Sequence, residues 1–425
     1  MYTRSGLELI RRRLSSQIRW KSEPSTSRES SNHRRCFVDT VLNGHSKAIV
    51  ELEKEIVKMD DKRRKLLGGE NRLLTHLLPR LENQILSLRC GFVPVGSVVT
   101  GLASSHSDLD VVLFPTNETM RNEFLKTFDN NHGLKYELMS ILRSSLVHSI
   151  HSLGMADFVV DDCLIFPHLR IPLLICKFTN GDSLDISLPG LDYQAIRNTH
   201  LMRHYAACDA RLGRLLLWLR HWSSSLGIRE SKTGLLSSYH LLLLAVHFLQ
   251  SEQSLGATPV LPVLYQTNRE EVDKDIHIQT IANSIMQPSL FHRIDWTSNN
   301  LMSTAELVVR FIDYYSDLNV LTKSIHIDRG LARKRSNAMR EQAQIYDPYS
   351  NQTACKSVPA MKAFNEAVNF TQRRMKTGFM LNPFSPSDSS FSNFIESTKF
   401  TDWSSSAAKK RVKMNRIGLG MRDEM

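Results

Sequence analysis

Hydrophobic spacing changes character twice along this chain. Between residues 38 and 88, Val41, Leu42, Ile49, Leu52 and Ile56 recur at helical intervals with charges between them, which predicts one or two amphipathic helices. From 89 to 189 short β-rich runs take over: FVPV, DLDVVLF, DFVVDDCLIF, IPLLICKF and SLDISL, broken by turn residues and one helical stretch over 122–153. After residue 192 long leucine-rich helices are predicted over 211–226 and 235–250, then the Pro-rich stretch TPVLPVLYQ, a helix over 304–315 and a last one over 358–371. Both ends lack apolar periodicity. The expected organisation is a disordered basic, Ser-rich arm over 1–36, helices over 37–88 packing on the helical half, a β-rich unit over 89–190, a helical unit over 191–372 and a flexible basic tail over 373–425.

At 425 residues and 41% hydrophobic, the chain is long enough for two or three packed domains plus tails. A formal net charge of +11 favours an anionic partner, nucleic acid above all, against the blander reading that basic tails only aid solubility. Cys36, Cys90, Cys163, Cys176, Cys208 and Cys355 form no CxxC pair, which argues against a zinc site or disulfide framework and implies a reducing compartment. The longest apolar run, LLLLAVHFL, is too short to cross a bilayer, so no membrane association is expected. Nine Lys or Arg in the first 35 residues loosely resemble a mitochondrial transit peptide, but three glutamates there favour a plain basic arm. A cytoplasmic location is expected, with the mitochondrion as the alternative.

Candidate chemistry concentrates in GSVVTGLASSHSDLDVVLFP, residues 96–115. A strand alternates its side chains, so Asp108 and Asp110 share one face while Leu109 and Val111 point into the core. Two carboxylates that close repel each other, and a divalent cation relieves the repulsion. Mg²⁺ suits such a pair because it takes one or two carboxylates together with substrate phosphate oxygens. Taken alone, the pair also reads as an exposed strand end. Gly96 has no side chain to block a phosphate, Ser97 offers an N–H and a hydroxyl, and VVTGLA after them opens a helix whose N-terminus favours anions. The plain alternative for Gly96-Ser97 is a strand-to-helix turn.

A glycine-serine turn, about a dozen residues and then Asp-x-Asp on a strand resembles the DNA-polymerase-β-like nucleotidyltransferases. GLASSHSDLD is similar to their cytoplasmic poly(A) polymerase and terminal uridylyltransferase branch, and the resemblance runs over residues 40–372. It implies an α+β architecture: a polymerase-β-like palm of mixed sheet and helices, a mainly helical PAP-associated domain, and a cleft between them. It also implies a third carboxylate from a later strand. SLDISL offers Asp185, with Leu184, Ile186 and Leu188 alternating around it, whereas Asp182 sits in the turn NGDS and is explained by turn chemistry. By the resemblance, Asp108, Asp110 and Asp185 are catalytic and hold Mg²⁺ (or Mn²⁺), and Gly96 and Ser97 meet the nucleotide.

The helical half is similar to the family segment by segment. RNTHLMRHYAACDARLGRLLLWLRHW puts Asn198 where the family contacts the ribose, and Arg220 where it usually has a lysine for the triphosphate; a guanidinium is not equivalent to an ammonium. GLLSSYHLLLLAVHFLQ resembles the LSSY helix, with Ser238 at phosphate and Tyr239 stacking on the base, although a core aromatic is the plainer reading of Tyr239. Ser224 replaces a lysine common in uridylyl-adding members, and Pro189-Gly190 replaces the usual paired asparagines. In the late loop, counting from Asp347-Pro348-Tyr349 puts Thr353 at the base-selecting position and Lys356 where an arginine is typical.

The resemblance implies a template-independent RNA 3′-terminal nucleotidyltransferase, AMP favoured, that releases pyrophosphate by two-metal catalysis. A terminal uridylyltransferase of the same fold and an inactive RNA-binding scaffold are the alternatives. Expected partners are an RNA 3′ end, an NTP (ATP before UTP) and an RNA-binding protein, because no RNA-recognition, KH or zinc-finger motif is visible.

Overall fold

A computed structural model of the protein describes residues 37–104, 107–128, 131–154, 158–167, 169, 171–190, 193–230, 234–318, 322–334, 345–349, 353–355, 358–385, 388–391 and 394. The expectations for the arm over 1–36, for Lys356 and for the tail beyond residue 394 lie outside the described residues.

The β-rich region makes one five-stranded mixed sheet. Its strands are β1 (Cys90–Val95), β2 (Leu109–Pro115), β3 (Val160–Phe166), β4 (Leu173–Phe178) and β5 (Ser183–Ser187), in the order β1-β2-β5-β4-β3. β2 and β5 run parallel, and the other neighbours are antiparallel. Strand alternation splits the apolar residues between two faces. Leu109, Val111, Leu113, Leu174, Cys176, Leu184 and Ile186 pack with Leu138, Met139, Leu142 and Leu146 of the His132–Leu153 helix. On the opposite face Val93, Val95, Val112 and Phe114 pack against Tyr193, Ile196 and the Ile278–Met286 helix. The cleft lies on that second face, because it is the one the long helix leaves open.

A larger, mainly helical core gathers Leu215, Trp218 and Trp222 of the Ala210–Ser225 helix, the Ser238–Gln250 helix, the Thr304–Asp317 helix and the Val358–Met375 helix. Asp209 caps the first of these by accepting from the Arg211 N–H, and Ser237 with His240 forms a capping box on the second.

Four expectations need correction. The stretch over 122–153 is two helices, Glu118–Phe128 and His132–Leu153, because the Asn131 side chain caps the second by accepting from the Leu134 N–H. Only the first part of 37–88 packs on the helical core, through Phe37, Val41, Leu52 and Ile56. Leu73, Leu77, Leu78, Leu81 and Ile85 instead pack under the sheet. The flexible tail expected from 373 does not begin there: Met380, Leu381, Phe391 and Phe394 are core residues, and Trp218 Nε1 donates to the Leu381 carbonyl. Its serines conceal an apolar spacing that only tertiary contact uses. Finally, the helical half carries a small second sheet, β6 (Lys323–His326), β7 (Leu331–Lys334), β8 (Ile345–Tyr346) and β9 (Thr353–Cys355), ordered β7-β6-β8-β9. Strands of two to four residues are too short for a period-2 signal.

His200 and His204 lie buried side by side, their Nε2 atoms 3.3 Å apart. Burial pulls His200 down to about 4, against a backbone hydrogen bond at Glu271 and helped by Arg203 and Arg197, and pulls His204 down to about 3, helped by the charges of His200 and Arg203. Both are therefore neutral in the fold, whereas the unfolded chain takes up protons near pH 6.5. Their stabilisation is complete above pH 6.5 and is lost as pH falls towards 4, by up to about 3 kcal/mol per histidine. Thermal melting across that window should show a steep decline; a melting temperature unchanged from pH 7 to pH 4.5 would contradict this.

Candidate active site

β2 and β5 are register partners at Asp110 and Asp185. Two residues 75 positions apart in sequence thus stand side by side on adjacent parallel strands, and Asp108 precedes β2 on the same side. Asp108, Asp110 and Asp185 line one cleft of about 930 Å³, together with Gly96, Ser97, Asn198, Arg220, Ser238 and Tyr239. That volume suits a nucleotide-sized ligand.

Burial pushes the Asp110 carboxyl up to about 7, and the charges of Asp185 and Asp108 push it the same way. Such a site gains from a cation, because the attraction replaces repulsion that protonation would otherwise have to remove. Among the described residues no three His, Cys, Asp or Glu side chains converge as a single-ion cage. The acid row instead fits cations held by one or two carboxylates each and completed by phosphate oxygens.

Gly96 acts differently from the expectation. Its N–H donates to Thr199 Oγ1 at 2.9 Å and so is committed within the protein. With φ at +74°, a Cβ on residue 96 would lie 2.7 Å from Asp110 Oδ2. The glycine is needed to make room for the carboxylate. The helix after it, Gly96–Val99, is a single turn rather than a helix with an anion-binding end. Asp182 is a turn residue, its N–H bonded to Asn180 Oδ1 at 2.9 Å.

Across the cleft, Asp347 ties three groups together. Asn198 Nδ2 donates to Asp347 Oδ2 at 2.7 Å, Tyr239 OH donates to the same oxygen at 3.3 Å, and the Tyr349 N–H donates to Oδ1 at 2.9 Å. Asn198 Oδ1 is buried with no hydrogen-bond partner among the described residues, and Asn198 lines the cleft. Burial and the Asp347 carboxylate both keep the Tyr239 phenol protonated. Sequence reading used Asp347 only to count along the late loop; its carboxylate acts from β8's end, which no local pattern reveals. Thr353 lies on β9, where its backbone pairs with Tyr346.

Arg220 does not reach the cleft as a free cation. It is buried, its Nη1 donates to the Leu102 carbonyl, and burial pulls it down to about 10. Arg63 grips the adjacent Gly101 carbonyl while bonded to Asp60, so two arginines hold the loop that leads to Asp108. Two exposed cations, Lys62 and Arg229, also line the cleft, and Arg229 Nη1 donates to Ser238 Oγ at 3.2 Å. Sequence reading missed Arg229 because it lies in the irregular stretch between two helices.

Residues 57–207 match the family described as poly(A) RNA polymerase, mitochondrial-like, central palm domain. Over this region the chain is thus similar to that palm-domain family. It is 28% identical over 248 residues to poly(A) RNA polymerase gld-2 of Caenorhabditis elegans, covering 58% of this chain and 20% of that protein. It is 25% identical over 289 residues to poly(A) RNA polymerase GLD2 of Mus musculus, covering 67% of this chain and 55% of that one. The chain therefore spans a fifth to about half of these relatives. In fold it is similar to GLD-2 in the GLD-2/RNP-8 complex, with a TM-score of 0.59 at 21% identity over 82% of this chain and 98% of that one. It is also similar to mtPAP in complex with UTP, with a TM-score of 0.56 at 18% identity over 78% of this chain and 72% of that one. The fold, a mixed sheet facing a mainly helical core, is thus shared with both. Asp110 and Asp185 stand on adjacent strands with Asp108 just ahead of the first, and Asn198, Ser238 and Tyr239 line the same cleft.

Proposed function

We propose that the chain is a template-independent RNA 3′-terminal nucleotidyltransferase that transfers AMP in preference to UMP from an NTP and releases pyrophosphate. The register pairing of Asp110 with Asp185, beside Asp108, is the observation that carries this reading. Asp108, Asp110 and Asp185 would hold Mg²⁺ or Mn²⁺. Bound there, two such ions would supply Lewis acidity at the α-phosphorus and lower the pKa of the RNA 3′-hydroxyl.

The chain's own residues position the reactants. Asn198 Oδ1 accepts from the ribose, Tyr239 offers its ring to the base while Asp347 fixes its hydroxyl, and Ser238 with Arg229 meets the triphosphate. The relatives' names favour adenylate; Thr353 is the residue we assign to base selection. Basic segments at the two ends would add salt-dependent RNA affinity without reading sequence. RNA selection would then come from an RNA-binding protein partner; the similar GLD-2 is found in a complex with another protein, RNP-8. Among the described residues no helix is long and apolar enough to cross a membrane. We place the protein's action in the cytoplasm, with the mitochondrion as the alternative.

The test is to incubate the full chain with a labelled oligoribonucleotide, Mg²⁺ and each NTP in turn. Extension with ATP is expected. Failure with all four, where a related enzyme extends the same RNA, overturns the reading and favours the scaffold alternative, for which the burial of Arg220 is the motivating observation. Extension with UTP alone would favour the uridylyltransferase. Replacing Arg229 by Gln should raise the KM for ATP about tenfold or more while leaving kcat within a few fold, since a charge-assisted phosphate contact is lost from ground and transition state alike. An unchanged KM would remove Arg229 from the phosphate site.

A further inference from the structure

Cys163 on β3 and Cys176 on β4 are direct register partners. Partners on antiparallel strands have Cα atoms about 4.5–5.5 Å apart, inside the roughly 4.4–6.8 Å that a disulfide requires. Both side chains belong to the cluster on the helix-covered face, so the two thiols meet there, and both are free. Cys163 is 9% exposed on the sheet's edge strand and Cys176 is 0% exposed one strand inward, so an oxidant arriving from solvent reaches Cys163 first.

We propose that Cys163 and Cys176 form a reversible disulfide modification site, with a peroxide as the oxidant. The Cys163 thiolate attacks a peroxide oxygen; the O–O bond breaks, the sulfur becomes a sulfenic acid and the departing oxygen leaves as water. The Cys176 thiol then attacks the Cys163 sulfur, the S–S bond forms, the S–O bond breaks and a second water leaves. Two thiols and one peroxide give one disulfide and two waters, and a thiol reductant reverses the step.

The surroundings favour this order of events. The hydrogen bond from Cys176 holds the Cys163 thiol below its ordinary range; burial opposes it, and the Arg143 guanidinium of the His132–Leu153 helix adds to the lowering. By contrast, burial pushes the Cys90 and Cys208 thiols up to about 11, so they serve as internal controls. Cys176 is also the register partner of Leu184, the residue before Asp185, so the cross-link would form directly behind the acid row. None of this depends on the proposed transferase activity.

The experiment treats the full-length protein with hydrogen peroxide, blocks remaining thiols with N-ethylmaleimide and maps peptides without reduction. The expected product is one linked species joining the Cys163 and Cys176 peptides, two hydrogens lighter than the reduced pair, lost on adding dithiothreitol and missing from Cys176→Ser. Wild-type protein alone decides the matter even if that variant folds poorly. Full alkylation of both cysteines after peroxide, a disulfide joining only other cysteines, or overoxidation of Cys163 without the link would each overturn the proposal.

Discussion

Changing Asp110 to Asn, or Asp185 to Asn, should reduce nucleotide incorporation by about 10³-fold or more while leaving the protein folded. Lewis-acid stabilisation contributes several kcal/mol, and each 1.36 kcal/mol is about a factor of ten. Asparagine keeps the shape of each side chain but cannot supply the negative charge that would hold a cation. Because Asp110 and Asp185 repel each other across β2 and β5, either single change also relieves strain in the metal-free protein. A transferase should therefore lose activity and gain or keep thermal stability at once, a combination that a destabilised scaffold does not produce. Incorporation within tenfold of wild type in both variants would remove the acid row from the chemistry.

Asp60 should be the most consequential charge away from the acids. It is 0% exposed on the Ser46–Leu67 helix and accepts from Arg63 Nη2 at 2.6 Å, Arg64 Nε at 3.0 Å and Arg214 Nε at 3.3 Å. Burial pushes its carboxyl up, but Arg63 and Arg64 outweigh that and hold it below the ordinary carboxylate range. Removing one partner of a buried ion pair leaves an uncompensated charge, so Asp60→Ala should cost about 3–5 kcal/mol, read as a lower denaturant midpoint. The same change frees Arg63, which holds the Gly101 carbonyl, so the loop ahead of Asp108 should loosen and kcat should fall further than the folded fraction accounts for. A midpoint within experimental error of wild type would show that the cluster is not structural.

Much of this was legible along the chain. SLDISL announced a strand with one outward acid, DLDVVLF a strand with two at its start, and the turn NGDS explained Asp182 away; in each case short-range alternation or turn chemistry carries the signal. What was lost is equally physical. Arg220 was assigned to phosphate by its place in the family resemblance, which does not show its burial against Leu102. Arg229 sits in irregular chain, where no period marks which side chains converge on the cleft. The residues over 376–394 were read from their serines, yet four apolar side chains among them fill the helical core.

The sequence by itself showed where most helices and the strands of the larger sheet lie and offered Asp108, Asp110 and Asp185 as outward acids, because those follow from local spacing; their grouping as one acid row came from the family resemblance. Only the tertiary structure decided that Asp110 and Asp185 are neighbours, that Asp347 clamps Asn198 and Tyr239, and that Gly96 makes room for a carboxylate. Strand order and register join residues far apart in the chain through backbone hydrogen bonds, and no property of either segment alone specifies which partner it meets.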